Sequence, residues 1–221
     1  MVRLFLCKLY MLASSDNKVI LVGHTGVGKT SLVYRQLHND FNRYQESTIG
    51  AAYNSISVDI DNEVTIHYGI WDTAGQERYN ALTPLYFRGS RVVVVVFDLS
   101  NYESFEKSRY WLKTLTERYD DGVDGYILVG SKMDLVEERQ VTVDEAHALA
   151  ETFSCHYYET SSYTGENIPE IFRQIALIIF NAPPRYQTIN FKEDLDDDGN
   201  IKYGPSEPKP YRENIYRYYC C

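Results

Sequence analysis

Gly23-His24-Thr25-Gly26-Val27-Gly28-Lys29-Thr30 fits the phosphate-binding pattern G-x-x-x-x-G-K-[ST], and its flanks decide the fold. Before it, Lys18-Val19-Ile20-Leu21-Val22 reads as a short buried strand. After it, Ser31-Leu32-Val33-Tyr34-Arg35-Gln36-Leu37 reads as the opening turns of a helix. Glycines let such a loop fold back so that successive backbone N–H groups converge on one anion. The helix start adds the positive end of its dipole. Lys29 can then reach β- and γ-phosphates, and the Thr30 hydroxyl can ligate Mg²⁺. A Gly-rich turn without function is the bland reading, but the strand–loop–helix setting favours a nucleoside-triphosphate site.

Outward from this loop the pattern alternates between strand and helix. Ile56, Val58 and Ile60, then Val64, Ile66, Tyr68 and Ile70, recur every second residue around Asp61-Asn62-Glu63 and predict an antiparallel hairpin with one buried face. Val92 to Phe97 is a continuous apolar run, as in a strand covered on both sides. A helix is predicted from Tyr102 to Tyr119, with Phe105, Trp111, Leu112 and Leu115 inward. A strand at Tyr126–Val129, a helix at Val143–Thr152, a strand at His156–Glu159 and a helix at Ile168–Phe180 follow. The alternation predicts an α/β fold with a mostly parallel sheet flanked by helices on both faces, with ligands at the carboxyl ends of the strands. His38 to Ser47 is too irregular for an element.

The chain has 221 residues, enough for one domain of about 170 residues and a tail. We expect an N-terminal extension over 1–16, a domain over 17–181 and a disordered tail over 182–221. The apolar stretch Met1–Leu12 could be read as a truncated signal peptide, but no cleavage site follows. Met11 is an alternative start. A net charge of −9 without a Lys/Arg cluster argues against nucleic-acid binding. Cys7, Cys155, Cys220 and Cys221 have neither disulfide-framework nor metal-ligand spacing, which suits a reducing cytosol.

Trp71-Asp72-Thr73-Ala74-Gly75-Gln76-Glu77 leaves the third strand. Asp72 is placed to hold Mg²⁺ through water, the Gly75 N–H to meet a γ-phosphate and Gln76 to orient a hydrolytic water. With the loop upstream, these residues resemble the small GTPases of the Ras superfamily over about 17–180. The resemblance implies a P-loop NTPase small G domain with a six-stranded sheet. It makes Gln76 and Lys29 the catalytic pair, and Gly23, Thr25, Gly26, Val27, Gly28, Lys29, Thr30, Ser31, Thr48 and Gly75 the GTP phosphate contacts. It makes Thr30, Thr48 and Asp72 the Mg²⁺ site, with Thr48 binding only when the γ-phosphate is present. Phe41 matches the aromatic that packs edge-on against guanine; loop packing is its bland reading. Ser131-Lys132-Met133-Asp134 resembles the base-reading N-K-x-D segment, where the Asp accepts from guanine N1–H and amine. Thr160-Ser161-Ser162 resembles the loop whose amide meets guanine O6, and Tyr163 follows it where the family often has Lys.

Ile49-Gly50-Ala51-Ala52-Tyr53 and Leu82-Thr83-Pro84-Leu85-Tyr86-Phe87-Arg88-Gly89 resemble marker segments of the Rab branch, and Gln45–Ala52 is most similar to early-endosomal Rab proteins. The terminal Cys220-Cys221 resembles the branch's acceptor for two geranylgeranyl groups, enough for stable anchoring where one lipid is marginal. The resemblance implies a GTP/GDP switch in vesicular traffic on the cytosolic face of endosomal membranes, acting as a monomer that also cycles through the cytosol. It implies an exchange factor, a GTPase-activating protein and effectors that bind Gln45–Tyr53 and Gly75–Phe87, and a Rab escort or GDI-type chaperone.

Three positions depart from the family. Ser131 replaces Asn, and its shorter hydroxyl is expected to lose a buried hydrogen bond and speed nucleotide loss. Tyr163 is expected to pack on the ribose or base edge. Thr25 stands near the attacking water, where bulk can slow hydrolysis. Asp194, Asp196, Asp198 and Gly199 begin a calcium-loop pattern, but Pro205 stands where its bidentate Glu belongs, so a solvated acidic linker is expected. A nucleotide kinase or ATPase, and a membrane-anchored scaffold with little GTPase activity, are the rival readings. Asp134 speaks against the first.

Overall fold

The computed structural model describes residues 17–61, 64–75, 87–120 and 122–183. Among these, six strands form one sheet. They are β1 (Lys18–Val22), β2 (Ala51–Asp61), β3 (Val64–Thr73), β4 (Ser90–Asp98), β5 (Gly125–Ser131) and β6 (His156–Glu159). Their order is β2-β3-β1-β4-β5-β6. Only the β2–β3 pair is antiparallel. Four α-helices accompany them among the described residues: α1 (Lys29–His38), α2 (Tyr102–Arg118) and α3 (Val143–Thr152) between strands, and α4 (Ile168–Asn181) after β6.

The two-residue period of a strand explains how one valine run serves both faces. Val92, Val94 and Val96 of β4 enter the core beneath α1 and α4, with Leu32, Val33, Ile171, Phe172 and Ile175. Val93, Val95 and Phe97 enter the opposite core, with Phe105 and Leu112 of α2 and Leu149 of α3. The sheet is thus covered on both faces. The expected hairpin is present, with Ile56, Ile66, Tyr68 and Ile70 buried on the first side. However, β2 starts five residues before Ile56, because Ala51–Ser55 pair backbone to backbone with Gly69–Thr73 whatever their side chains.

This strand order positions the site. The chain leaves β1 for β2 and β3 on one side, then crosses to β4 on the other. Connections therefore diverge at the carboxyl end of β1, where a crevice opens.

A buried polar network at the opposite end of β1 was not legible in the sequence. Arg91, 6% exposed, donates from Nε to Asp124 Oδ2 at 2.6 Å and from Nη1 to Asn17 Oδ1 at 2.8 Å. Asn17 donates onward to the His67 carbonyl at 2.9 Å. Breaking such a network leaves a buried group unpaired, so Arg91→Ala is expected to lower unfolding free energy by about 3–5 kcal/mol. Urea unfolding with an unchanged m-value would register it.

Candidate functional site

The loop between β1 and α1 turns on glycines at positive φ, and at Gly23 a side chain would also have no room. Gly23 has φ 150°, and a Cβ there would lie 2.1 Å from the Val96 carbonyl oxygen, so the loop crosses directly over β4. Gly28, at φ 92°, is the N-cap of α1 and supplies no side-chain cap. By contrast, Asn101 caps α2, and Thr142 with Glu145 forms a reciprocal capping box on α3. The first turn of α1 also carries no acidic residue. Its opening amides and dipole are therefore left for an anion.

Lys29 is 5% exposed, and its Nζ donates to the carbonyls of Gly23 at 2.8 Å and His24 at 2.9 Å. Burial pushes its pKa down to about 8 against the opposing attraction of Asp72. Two carbonyls thus aim the ammonium across the loop into a cleft of about 220 Å³, lined also by Thr25, Gly26, Thr30, Ser31, Phe41 and Thr48.

Three segments meet at Asp72. Its Oδ2 accepts from the Thr30 hydroxyl at 2.6 Å and from the Thr48 hydroxyl at 3.5 Å. Those two hydroxyl oxygens are 2.8 Å apart. Asp72 is 1% exposed, its Oδ1 has no hydrogen-bond partner, and burial raises its pKa despite Thr30, Lys29 and Thr48. Hard oxygen donors around an orphaned carboxylate oxygen fit a small divalent cation such as Mg²⁺. Gly75 closes the same end. A Cβ there would lie 2.5 Å from His24 and Thr25 backbone atoms, so the exit of β3 lies directly against the phosphate loop.

The residues expected at the base form a second group. Asp134 Oδ1 accepts from the Ser161 hydroxyl at 2.5 Å, and Ser161 is fully buried. The Ser161 amide donates to the Glu166 carbonyl at 3.2 Å. Ser162 follows in the same turn. Lys132 holds a left-handed φ of 61° and pairs with Asp98 at 2.6 Å. Ser131 differs from expectation. Its hydroxyl lies 2.6 Å from the Val27 carbonyl and 2.8 Å from that of Phe97, so the tie to the phosphate loop is kept. A hydroxyl has one proton, and both of these carbonyl neighbours are acceptors.

Phe41 and Tyr163 meet edge to face, with ring centroids 5.5 Å apart. Arg35 and Arg43 were missed by the sequence reading. Arg35, in α1, donates to the Ser162 carbonyl at 2.7 Å and to that of Tyr163, while Arg43 donates to the Tyr163 hydroxyl at 3.3 Å. Only three-dimensional proximity reveals the first, since 127 residues separate its partners. Gln76 and most of Gly75–Phe87, Cys220, Cys221, the N-terminal extension and the acidic tail lie outside the described residues.

A family model described as the Ras family matches residues 18–181. The chain belongs to the Ras family. It is 41% identical over 170 residues to "Ras-related protein RABF2a" of Arabidopsis thaliana, covering 75% of this chain and 84% of that protein. "Ras-related protein RABF2b" of the same plant is also 41% identical, over 163 residues covering 74% and 80%. Within the Ras family this chain is a Rab-branch small GTPase, a GTP hydrolase most like the endosomal Rabs.

Lys29 supplies a pH test. A phosphate anion beside it favours the charged amine, so its pKa rises on binding and a proton is taken up. Affinity is full below the free value of about 8 and declines as pH rises through it. Calorimetry at pH 8 to 8.5 in buffers of different ionisation enthalpy is expected to report net proton uptake with GDP. A Lys29→Met variant is expected to lose it.

Proposed function

We propose that this small GTPase is a GTP/GDP switch of endosomal membrane traffic, acting on the cytosolic face of intracellular membranes. The convergence of Thr30, Thr48 and Asp72 beside Lys29 carries the reading, because it joins the start of α1, the Gln45–Tyr53 segment and the exit of β3 at one point. The Thr30 and Thr48 hydroxyls, and Asp72 through water, would hold Mg²⁺, which would supply neutralising charge at the phosphate end. Lys29 and the loop amides stabilise the phosphoryl oxygens as charge redistributes. Thr48 and the Gly75 amide hold the γ-phosphate, and Gln76 orients the attacking water. Once that phosphate leaves, both segments lose their anchor and release effectors.

Asp134, fixed by Ser161, reads guanine N1–H and its amine, and the Ser162 amide meets O6. Arg43 is the described arginine lining the cleft, and its guanidinium is engaged with Tyr163. Intrinsic turnover is therefore slow, and an activating protein supplies the missing positive charge. Cys220 and Cys221 carry two geranylgeranyl groups, which an escort or GDI-type chaperone shields in the cytosol.

A single-turnover assay of the purified, Mg²⁺-loaded chain is expected to give slow GTP cleavage that Gln76→Leu abolishes. Rapid cleavage by the parent would defeat the need for an activator. In competition, GTP is expected to displace a bound guanine nucleotide where ATP does not. Asp134→Asn should weaken GTP by about 10- to 100-fold for each charge-assisted hydrogen bond lost. Equal affinity for the two bases would end the reading.

Ser131 predicts a second result. Its proton serves carbonyls, so it cannot also donate to guanine N7, an acceptor. Ser131→Asn is expected to slow GDP release by about 5- to 150-fold, for a buried hydrogen bond of about 1–3 kcal/mol. Stopped-flow release of a fluorescent GDP would measure it.

A further inference from the structure

Tyr163 stands at the junction of two otherwise separate parts of the site. Its backbone belongs to the turn after β6. Arg35 donates to the carbonyls of both Ser162 and Tyr163, and to that of Asn39 at 2.9 Å. One guanidinium in the last turn of α1 therefore holds this turn against the end of the helix that begins at Lys29. The side chain reaches the other way, to the segment leading from α1 to Thr48. Its ring meets Phe41 at an interplanar angle of 85°, the edge-to-face arrangement that the ring quadrupoles favour. The Arg43 guanidinium carbon lies 5.4 Å from the ring centroid, and Nη2 reaches the hydroxyl. Tyr163 is still 50% exposed, so burial alone does not account for its placement.

We propose that Tyr163 is a retention latch: Arg35 fixes its backbone, Phe41 and Arg43 hold its ring, and together they close the 39–48 segment over the nucleoside. It is a positioning residue that sets how long nucleotide stays bound, not how it is cleaved. The latch rests on the guanine-nucleotide reading above and adds its regulation. It works where Ser131 lacks a donor for the base, so the closing contact comes from Phe41 and Arg43 instead. The latch also joins the base-side turn to the segment that carries Thr48. A partner that pulls this segment away would break both aromatic contacts at once and release nucleotide.

The test uses the full chain loaded with fluorescent GDP and chased with excess GDP in Mg²⁺. Tyr163→Ala is expected to speed release by about two- to twelvefold, the span for an aromatic pair of this geometry. Arg43→Ala, on an exposed side chain, is expected to speed it by about two- to fivefold. Tyr163→Phe keeps the ring and should fall between parent and Tyr163→Ala. The latch acts on departure, so association rate constants should stay at the parent value, whereas general damage to the pocket moves both. In a double-mutant cycle, Arg43→Ala with Tyr163→Phe should release no faster than Arg43→Ala alone, because both remove the same hydrogen bond. A parent that retains GDP while Tyr163→Ala releases it at the parent rate overturns the latch alone. Additive effects in the cycle overturn the Arg43–hydroxyl link. A parent that fails to retain GDP overturns the nucleotide reading and the latch together.

Discussion

The arrangement around the Asp72 carboxylate is the constraint on which the rest depends. Desolvation raises the Asp72 pKa and lowers that of Lys29, whereas their mutual attraction pushes each the other way. Burial wins for both. Two Thr hydroxyls and a nearby ammonium therefore do not fully compensate the carboxylate, and Oδ1 is left without a partner. A fold selected for stability alone would place apolar groups here, since a buried ion pair is a weak source of stability. Opposed shifts on neighbouring buried groups in a cleft mark a site built for charge that arrives from outside.

On the proposed reading, geometry would make that site sensitive to one phosphate. Thr30 is fixed in α1 and Asp72 in β3, both packed into the sheet. Thr48 lies in an irregular segment, where the hydroxyl contacts and the pairing that begins at Ala51 restrain it. Ala74 donates to the Gly50 carbonyl at 2.8 Å, so the ends of the two switching segments are tied to each other. A ligand that grips Thr48 and Gly75 thus biases both segments together. The lack of space for a Cβ at Gly75 keeps the second segment within reach of the phosphate loop.

Much of this was legible in the sequence, for physical reasons. Glycine spacing reports backbone shape, so the phosphate loop could be read directly. Valine runs report two-sided burial, so β4 could be too. Asp72 is read from its place at the end of the third strand and Thr48 from resemblance, and the structure brings both to Thr30. The illegible parts depend on distant partners. Nothing local tells Arg91 from a surface arginine, or links Arg35 to a turn more than a hundred residues away. Ala51–Ser55 lack alternation because their strand is held by backbone pairing with β3. Ser131 was read by its length when its hydrogen-bond geometry matters more. The hydroxyl reaches the phosphate loop but has a single proton to give.

The departures from family pattern are unevenly distributed, and that distribution has a physical meaning. Lys29, Thr30, Thr48, Asp72 and Gly75 leave the proposed phosphate end complete, while the departures at Ser131 and Tyr163 fall at the proposed base end. Phosphate contacts differ between the two nucleotide states, so altering them changes what the switch distinguishes. Base contacts are the same in both states, so altering them changes residence time and leaves the discrimination between states intact, as uniform binding does in any catalyst. On the proposed reading, a base end weakened at Ser131 and closed at Tyr163 would shift control of nucleotide lifetime from a buried hydrogen bond to an exposed aromatic contact. Phe41 and Arg43 lie on the segment that also carries Thr48. The residues proposed to retain the nucleoside and the one proposed to sense its terminal phosphate thus share one stretch of backbone, and on that reading motion of the stretch would affect both.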